Sequence, residues 1–118
     1  MFNKKKSEFD KLNILDLIPI RMFEYEVQED EKVTLLIPKF RDKFLGKYLQ
    51  PYIKRKFYKV KLDKYGSFVW RQCDGRTTVN EIAERLRQKY GAEAEPAVER
   101  VAKFIQHLYR GDCVTFNK

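Results

Sequence analysis

The chain is poor in the residues that metal and redox chemistry use. It has two cysteines, Cys73 and Cys113, and a single histidine, His107. There is no CxxC pair, so a disulfide framework and a structural zinc site are both disfavoured. Two isolated cysteines fit a reducing compartment. No glycine-rich phosphate loop occurs, and no nucleophile elbow. No apolar run approaches the roughly eighteen residues of a membrane span. The N-terminal "MFNKKKSEFDKLNILDLIPI" starts as a signal peptide does, with lysines ahead of apolar residues. Asp10 and Asp16 interrupt it, however, and no small-residue cleavage site follows. These absences together predict a soluble, cytoplasmic protein that is not an enzyme, with no catalytic residue, metal or cofactor.

What is present is enough for one domain. The 118 residues are 43% hydrophobic and 14% aromatic, which supports a single modest core. The formal net charge is +8, and it is local. Lys39 to Lys61 holds nine basic residues against one acid, Asp42, which equals the charge of the whole chain. Such a balance favours an acidic partner: nucleic acid, an anionic membrane surface or an acidic peptide.

Residues 1–20 read as a tail or docking segment, with Leu12, Leu15, Leu17 and Ile18 in a short turn that Pro19 would end. The remaining residues, 21–118, read as one domain. From Arg21 the apolar period is two. Phe23, Tyr25 and Val27 alternate with polar residues, "QEDEK" makes a turn, and Val33, Leu35 and Ile37 alternate again. That is a β-hairpin. A third strand fits "FYKVKLD", with Tyr58, Val60 and Leu62 facing the core and Phe57, Lys59 and Lys61 facing away. Between hairpin and third strand lies an insertion at about 39–56, basic and rich in aromatics. Aromatics among lysines can stack on bases or enter a membrane interface, or cover a core while the lysines face water.

After Asp63 the period becomes helical. Asp63 is placed as an N-cap, and Tyr65, Phe68, Val69 and Cys73 form the stripe of a first helix. Asp74-Gly75 stops it, and Thr78-Val79-Asn80-Glu81 is a capping box that opens a second. The second stripe is Val79, Ile82, Ala83, Leu86 and Tyr90, with Gly91 at its end. Pro96 stands where a first helical residue should. The last helix carries Val98, Val101, Ala102, Phe104, Ile105 and Leu108, and Gly111 closes it. Cys73 therefore reads as a buried helix-end residue with no base nearby to activate it.

The pattern predicts an α+β fold: a winged-helix-like domain with a three-stranded antiparallel sheet followed by a three-helix bundle. Two surfaces stand out. Arg100, Lys103, His107 and Arg110 make a basic stripe along the last helix. The third strand follows a long excursion, so it fits a sheet edge, where Lys59 and Lys61 would guard against aggregation or attract an acidic strand. Two function classes follow, a peptide-binding module and, as the alternative, a winged-helix DNA- or RNA-binding protein using the basic segment and the last helix.

Residues 58–116 also resemble the PqqD-like family. The residues that carry the likeness are Leu62-Asp63, Val69-Trp70, Cys73-Asp74-Gly75, Thr78-Val79, Glu81-Ile82, and Phe104, Leu108 and Gly111. The resemblance implies a peptide chaperone, a recognition element for ribosomally made, modified peptides. Such a protein binds a precursor's leader peptide as a strand added to its third strand, over the third helix. It presents the leader to a modifying enzyme, which in the pyrroloquinoline quinone pathway is a radical-SAM enzyme. Carried over, the receiving strand is Tyr58, Lys59, Val60, Lys61 and Leu62, and the groove wall is Val101, Phe104, His107 and Leu108. Arg100 and Lys103 would then meet acidic leader residues. The insertion at 39–56 and the N-terminal segment depart from a typical short member.

Overall fold

The computed structural model describes residues 13–38 and 57–117. The lysine-rich start and the basic aromatic insertion lie outside the described residues. Five strands and three α-helices are described. The strands are β1 (Ile18–Arg21), β2 (Glu24–Val27), β3 (Val33–Pro38), β4 (Phe57–Lys61) and β5 (Val114–Asn117). The helices are α1 (Lys64–Arg71), α2 (Val79–Tyr90) and α3 (Ala97–Arg110).

The expected sheet is present. β2, β3 and β4 form an antiparallel sheet in that order. The hairpin turns through three residues, Glu29 to Glu31, closed by the Gln28 N–H donating to the Lys32 carbonyl at 2.8 Å. Glu31 takes the left-handed conformation at φ 67°, which such a three-residue loop requires.

The helix signals read from the sequence act as expected. The Asp63 carboxylate accepts the Gly66 N–H at 2.7 Å. The Thr78 hydroxyl accepts from the Glu81 N–H, and the Glu81 carboxylate accepts from the Thr78 N–H, completing the capping box. Between α1 and α2, Gly75 has φ +78°, and a side chain there would meet Ile20 at 3.3 Å. One detail differs. Pro96 precedes α3 as its cap instead of opening it. Gly111 caps the end of α3 as expected, and the left-handed residue is the next one, Asp112 (φ 61°), a conformation that aspartate tolerates.

A second sheet was not foreseen. β1 pairs antiparallel with β5, and Pro19, expected to end a turn, is buried opposite Phe116 within this ladder. The segment before Met22 is hydrogen-bonded across the domain. The Val79 N–H donates to the Leu17 carbonyl, the Gly75 N–H to Pro19, and the Arg21 N–H to Cys73. The Arg21 guanidinium adds bonds to the carbonyls of Trp70 (3.4 Å) and Arg71 (2.8 Å), where α1 exposes its negative end.

One core joins these parts. Val33 and Leu35 from β3 meet Val69, Trp70 and Cys73 of the α1 end, Val79, Ile82 and Leu86 of α2, and Val101, Ile105 and Leu108 of α3. Trp70 is fully buried and meets Tyr25 edge-on at 6.0 Å. Buried Ser67 accepts the Val33 N–H at 2.7 Å and donates to the Leu62 carbonyl at 3.3 Å, tying α1 to the sheet.

Candidate functional site

β4 sits at one end of the three-stranded sheet, and among the described residues no strand pairs with its outer edge. Cross-strand pairing sets which side chains share a face. Val60 lies opposite Leu35, and Tyr58 opposite Ile37. Leu35 in turn lies opposite Tyr25, which packs on Trp70. Tyr58 and Val60 therefore point to the helix side, as expected. They are not buried there: Tyr58 is 58% exposed and Val60 39%, while Leu35 is 2% exposed. This corrects the expectation that both face the core. α1 packs on β3 and its Trp70 reaches Tyr25 of β2, while Tyr58 and Val60 stay exposed. Leu62, one residue beyond the strand, is half-buried against the core and donates its N–H to the Val33 carbonyl.

Lys59 and Lys61 project from the opposite face, and both are exposed. Lys59 makes a loose ion pair with Glu26 at 3.9 Å. Its members are more than half exposed, so it contributes little.

α3 carries the other residues singled out from the sequence. Its apolar stripe buries Val101 (1% exposed) and Leu108 (6%) in the core. Phe104 is half-buried beside them. A cleft of about 180 Å³ opens where Phe104, Val101 and Arg100 of α3 meet Asp63, Gly66 and Val69 around α1. Gly66 makes room for this contact, since a side chain there would stand 3.2 Å from the Phe104 ring. Tyr65 also lines the cleft, and its hydroxyl donates to Glu93 at 3.0 Å. Lys64 donates to the same carboxylate oxygen at 3.0 Å; these two bonds, Lys64's the stronger cause, hold the Glu93 carboxyl below its usual range.

Of the residues singled out from the sequence, the structure brings Arg100, Val101 and Phe104 into the cleft and leaves Tyr58 and Val60 exposed on β4. Leu108 belongs to the core. His107 is exposed on α3, away from the cleft lining. Arg100, Lys103, His107 and Arg110 are all exposed, with no side-chain hydrogen bond or ion pair among the described residues. Asp63 was read as an N-cap and Tyr65 as part of the first helix's apolar stripe, and Gly66 was not singled out; the helical period carried no sign that α3 would lie across them.

The Cys73 thiol is buried and donates to the Val69 carbonyl at 3.3 Å. Burial pushes it up from the ordinary 9.0 to about 12, against a smaller opposite pull from Arg21. Among the described residues, no group of three or more histidine, cysteine, aspartate or glutamate side chains could hold a metal ion. None of the described helices is long and apolar enough to cross a membrane.

Comparison with known proteins adds one match. The family model for coenzyme PQQ synthesis protein D (PqqD) covers residues 53–114, just over half of the chain. That stretch takes in β4, all three helices and the first residue of β5. Neither a curated protein nor a solved structure matches. β4, the three helices and the turn signals between them all fall inside the matched stretch, and the chain belongs to the PqqD family.

Proposed function

We propose that the protein captures a precursor's leader peptide as a strand added to β4, against the Phe104 side of α3, and presents it to a modifying enzyme. Family membership supports the coarse part of this reading, a peptide-binding accessory protein. The observation that carries the finer part is the exposure of Tyr58 and Val60 on the helix side of a strand whose outer edge is unpaired among the described residues. An edge strand offers backbone donors and acceptors, and exposed apolar side chains beside it offer contacts for alternate side chains of the partner. Backbone pairing would supply affinity; the cations Arg100 and Lys103 beside the cleft would select an acidic partner. The modifying enzyme would be of the radical-SAM class if the pathway follows the family's namesake.

Amide resonances of the isotope-labelled chain, followed as a leader peptide is added, test this. The Lys59 and Lys61 amides should shift and become protected from hydrogen exchange. Arg100→Glu with Lys103→Glu should weaken binding about tenfold or more with little change in Tm. Shifts confined to the β1–β5 side, with that double reversal silent, would assign the peptide to another surface.

A further inference from the structure

The hydrogen-bond phase of the sheet specifies what kind of strand β4 accepts. The Leu62 N–H donates to the Val33 carbonyl, so Val33 and Leu62 stand at a hydrogen-bonded position of the β3–β4 ladder, the Val33 N–H going to the Ser67 hydroxyl. Counting along the register, Leu35 with Val60 and Ile37 with Tyr58 are hydrogen-bonded pairs too. The other ladder agrees: Gln28 bonds to Lys32, so Glu26 with Thr34 and Glu24 with Leu36 are the bonded pairs there. Along β3 the backbone thus turns alternately to β4 and to β2. On β4, the N–H and C=O groups of Tyr58 and Val60 point inward to β3. Those of Lys59 and Lys61 point to the outer edge.

Edge backbone and lysine side chain therefore belong to the same residues. A strand that pairs antiparallel with this edge must place its bonded residues opposite Lys59 and Lys61. Their side chains then stand on the lysine face, directly across from two ammonium groups. Opposite charges at such positions are favourable and like charges are not. The existing carboxylates serve this role only in part: Glu26 reaches Lys59 at 3.9 Å, a loose pair between exposed side chains. Glu24 and Glu26 lie on β2, two strand spacings or about 9.5 Å from β4, whereas an incoming strand lies at about 4.8 Å. Lys61 has no ion pair among the described residues. The intervening residues of the incoming strand face the exposed side chains of Tyr58 and Val60.

We infer that the ligand of β4 is an extended segment in which acidic and apolar residues alternate, the acids at the backbone-bonded positions opposite Lys59 and Lys61. This rests on the strand-addition reading and narrows it to a sequence pattern. It also disfavours the chain's own insertion as the occupant, because residues 39–56 hold seven basic residues and one acid.

The test uses a fluorescein-labelled heptapeptide of alternating glutamate and leucine, titrated with the full chain by anisotropy. Three variants accompany it: lysine in place of glutamate, N-methylated glutamates, and N-methylated leucines. The parent should bind, and the lysine peptide should bind at least tenfold more weakly. Lys59→Glu with Lys61→Glu should reverse that preference. Methylating the glutamates should abolish binding, because their N–H groups point into β4, while methylating the leucines should not. No binding by the parent overturns the pattern, and a block by leucine methylation alone overturns the antiparallel register. If neither methylation matters, strand addition itself is wrong. If glutamate methylation blocks but the double reversal leaves affinity unchanged, strand addition stands and the acid–lysine register is overturned.

Discussion

The thiol of Cys73 shows what an enclosed position does to a reactive group. It is fully buried at the end of α1, and burial holds its proton up to about 12. An unfolded chain loses that proton near 9.0, so the folded state binds more protons between those values. Stability is then unaffected below about pH 9 and falls as pH rises toward 12, with a slope approaching about 1.4 kcal/mol per pH unit. Cys73→Ala should lack this alkaline increment and cost roughly 1–3 kcal/mol at neutral pH through lost packing. Denaturant unfolding of both proteins at pH 8 and pH 10 reads the difference. Rapid alkylation of Cys73 in the native protein would contradict the burial argument. This residue was legible from its place on the apolar side of a helix end. Tyr58 and Val60 were half legible. Alternation fixes which side chains share a face, because the strand period is two. It says nothing about how far the neighbouring layer extends over that face, and here Tyr58 and Val60 stay exposed.

At the scale of elements, local signals were read well and distant pairings were not. Asp63, the Thr78–Glu81 box and Gly91 act through neighbours within a few residues, so the sequence displays both partners. The Asp74 turn works the same way. Burial opposes its ionisation, but the Arg76 N–H and both donors of Thr77 outweigh that and hold the carboxyl below its ordinary value. β1 and β5 are different. Each is four residues long, and their partners lie nearly a hundred positions apart, so neither shows its role alone. Read locally, Leu12 to Ile18 look like a short turn that Pro19 ends, and "VTFN" carries no pairing signal of its own. Paired, they carry Pro19 and Val114 into buried positions and bring Arg21 to the carbonyl end of α1. Deleting the chain through Arg21 should therefore act as a core mutation, lowering stability by about 3 kcal/mol or more. A urea midpoint that did not move would show that the β1–β5 ladder is peripheral to the cooperative unit.

On the scale of the whole molecule, the question is which polyanion the charge serves. A net charge of +8 and an α3 face with Arg100, Lys103, His107 and Arg110 unneutralised among the described residues will attract nucleic acid as well as acidic peptide. The two modes respond differently to salt. Binding duplex DNA through about four cations releases a similar number of counterions, so affinity should fall about a hundredfold between 50 and 200 mM salt. A strand added to β4 draws on backbone pairing and on covering Tyr58 and Val60, which salt does not screen. Only its rim charges at Lys59, Lys61 and α3 are exposed to ions, and their loss should stay within about tenfold over the same range. Parallel titrations with random-sequence duplex and with the alternating acidic peptide separate the cases. Weak duplex binding that disappears by 200 mM is expected of any protein with this charge. Sequence-selective duplex binding that persists there, with peptide affinity collapsing instead, would make α3 a nucleic-acid-reading helix and leave the open edge of β4 without its ligand.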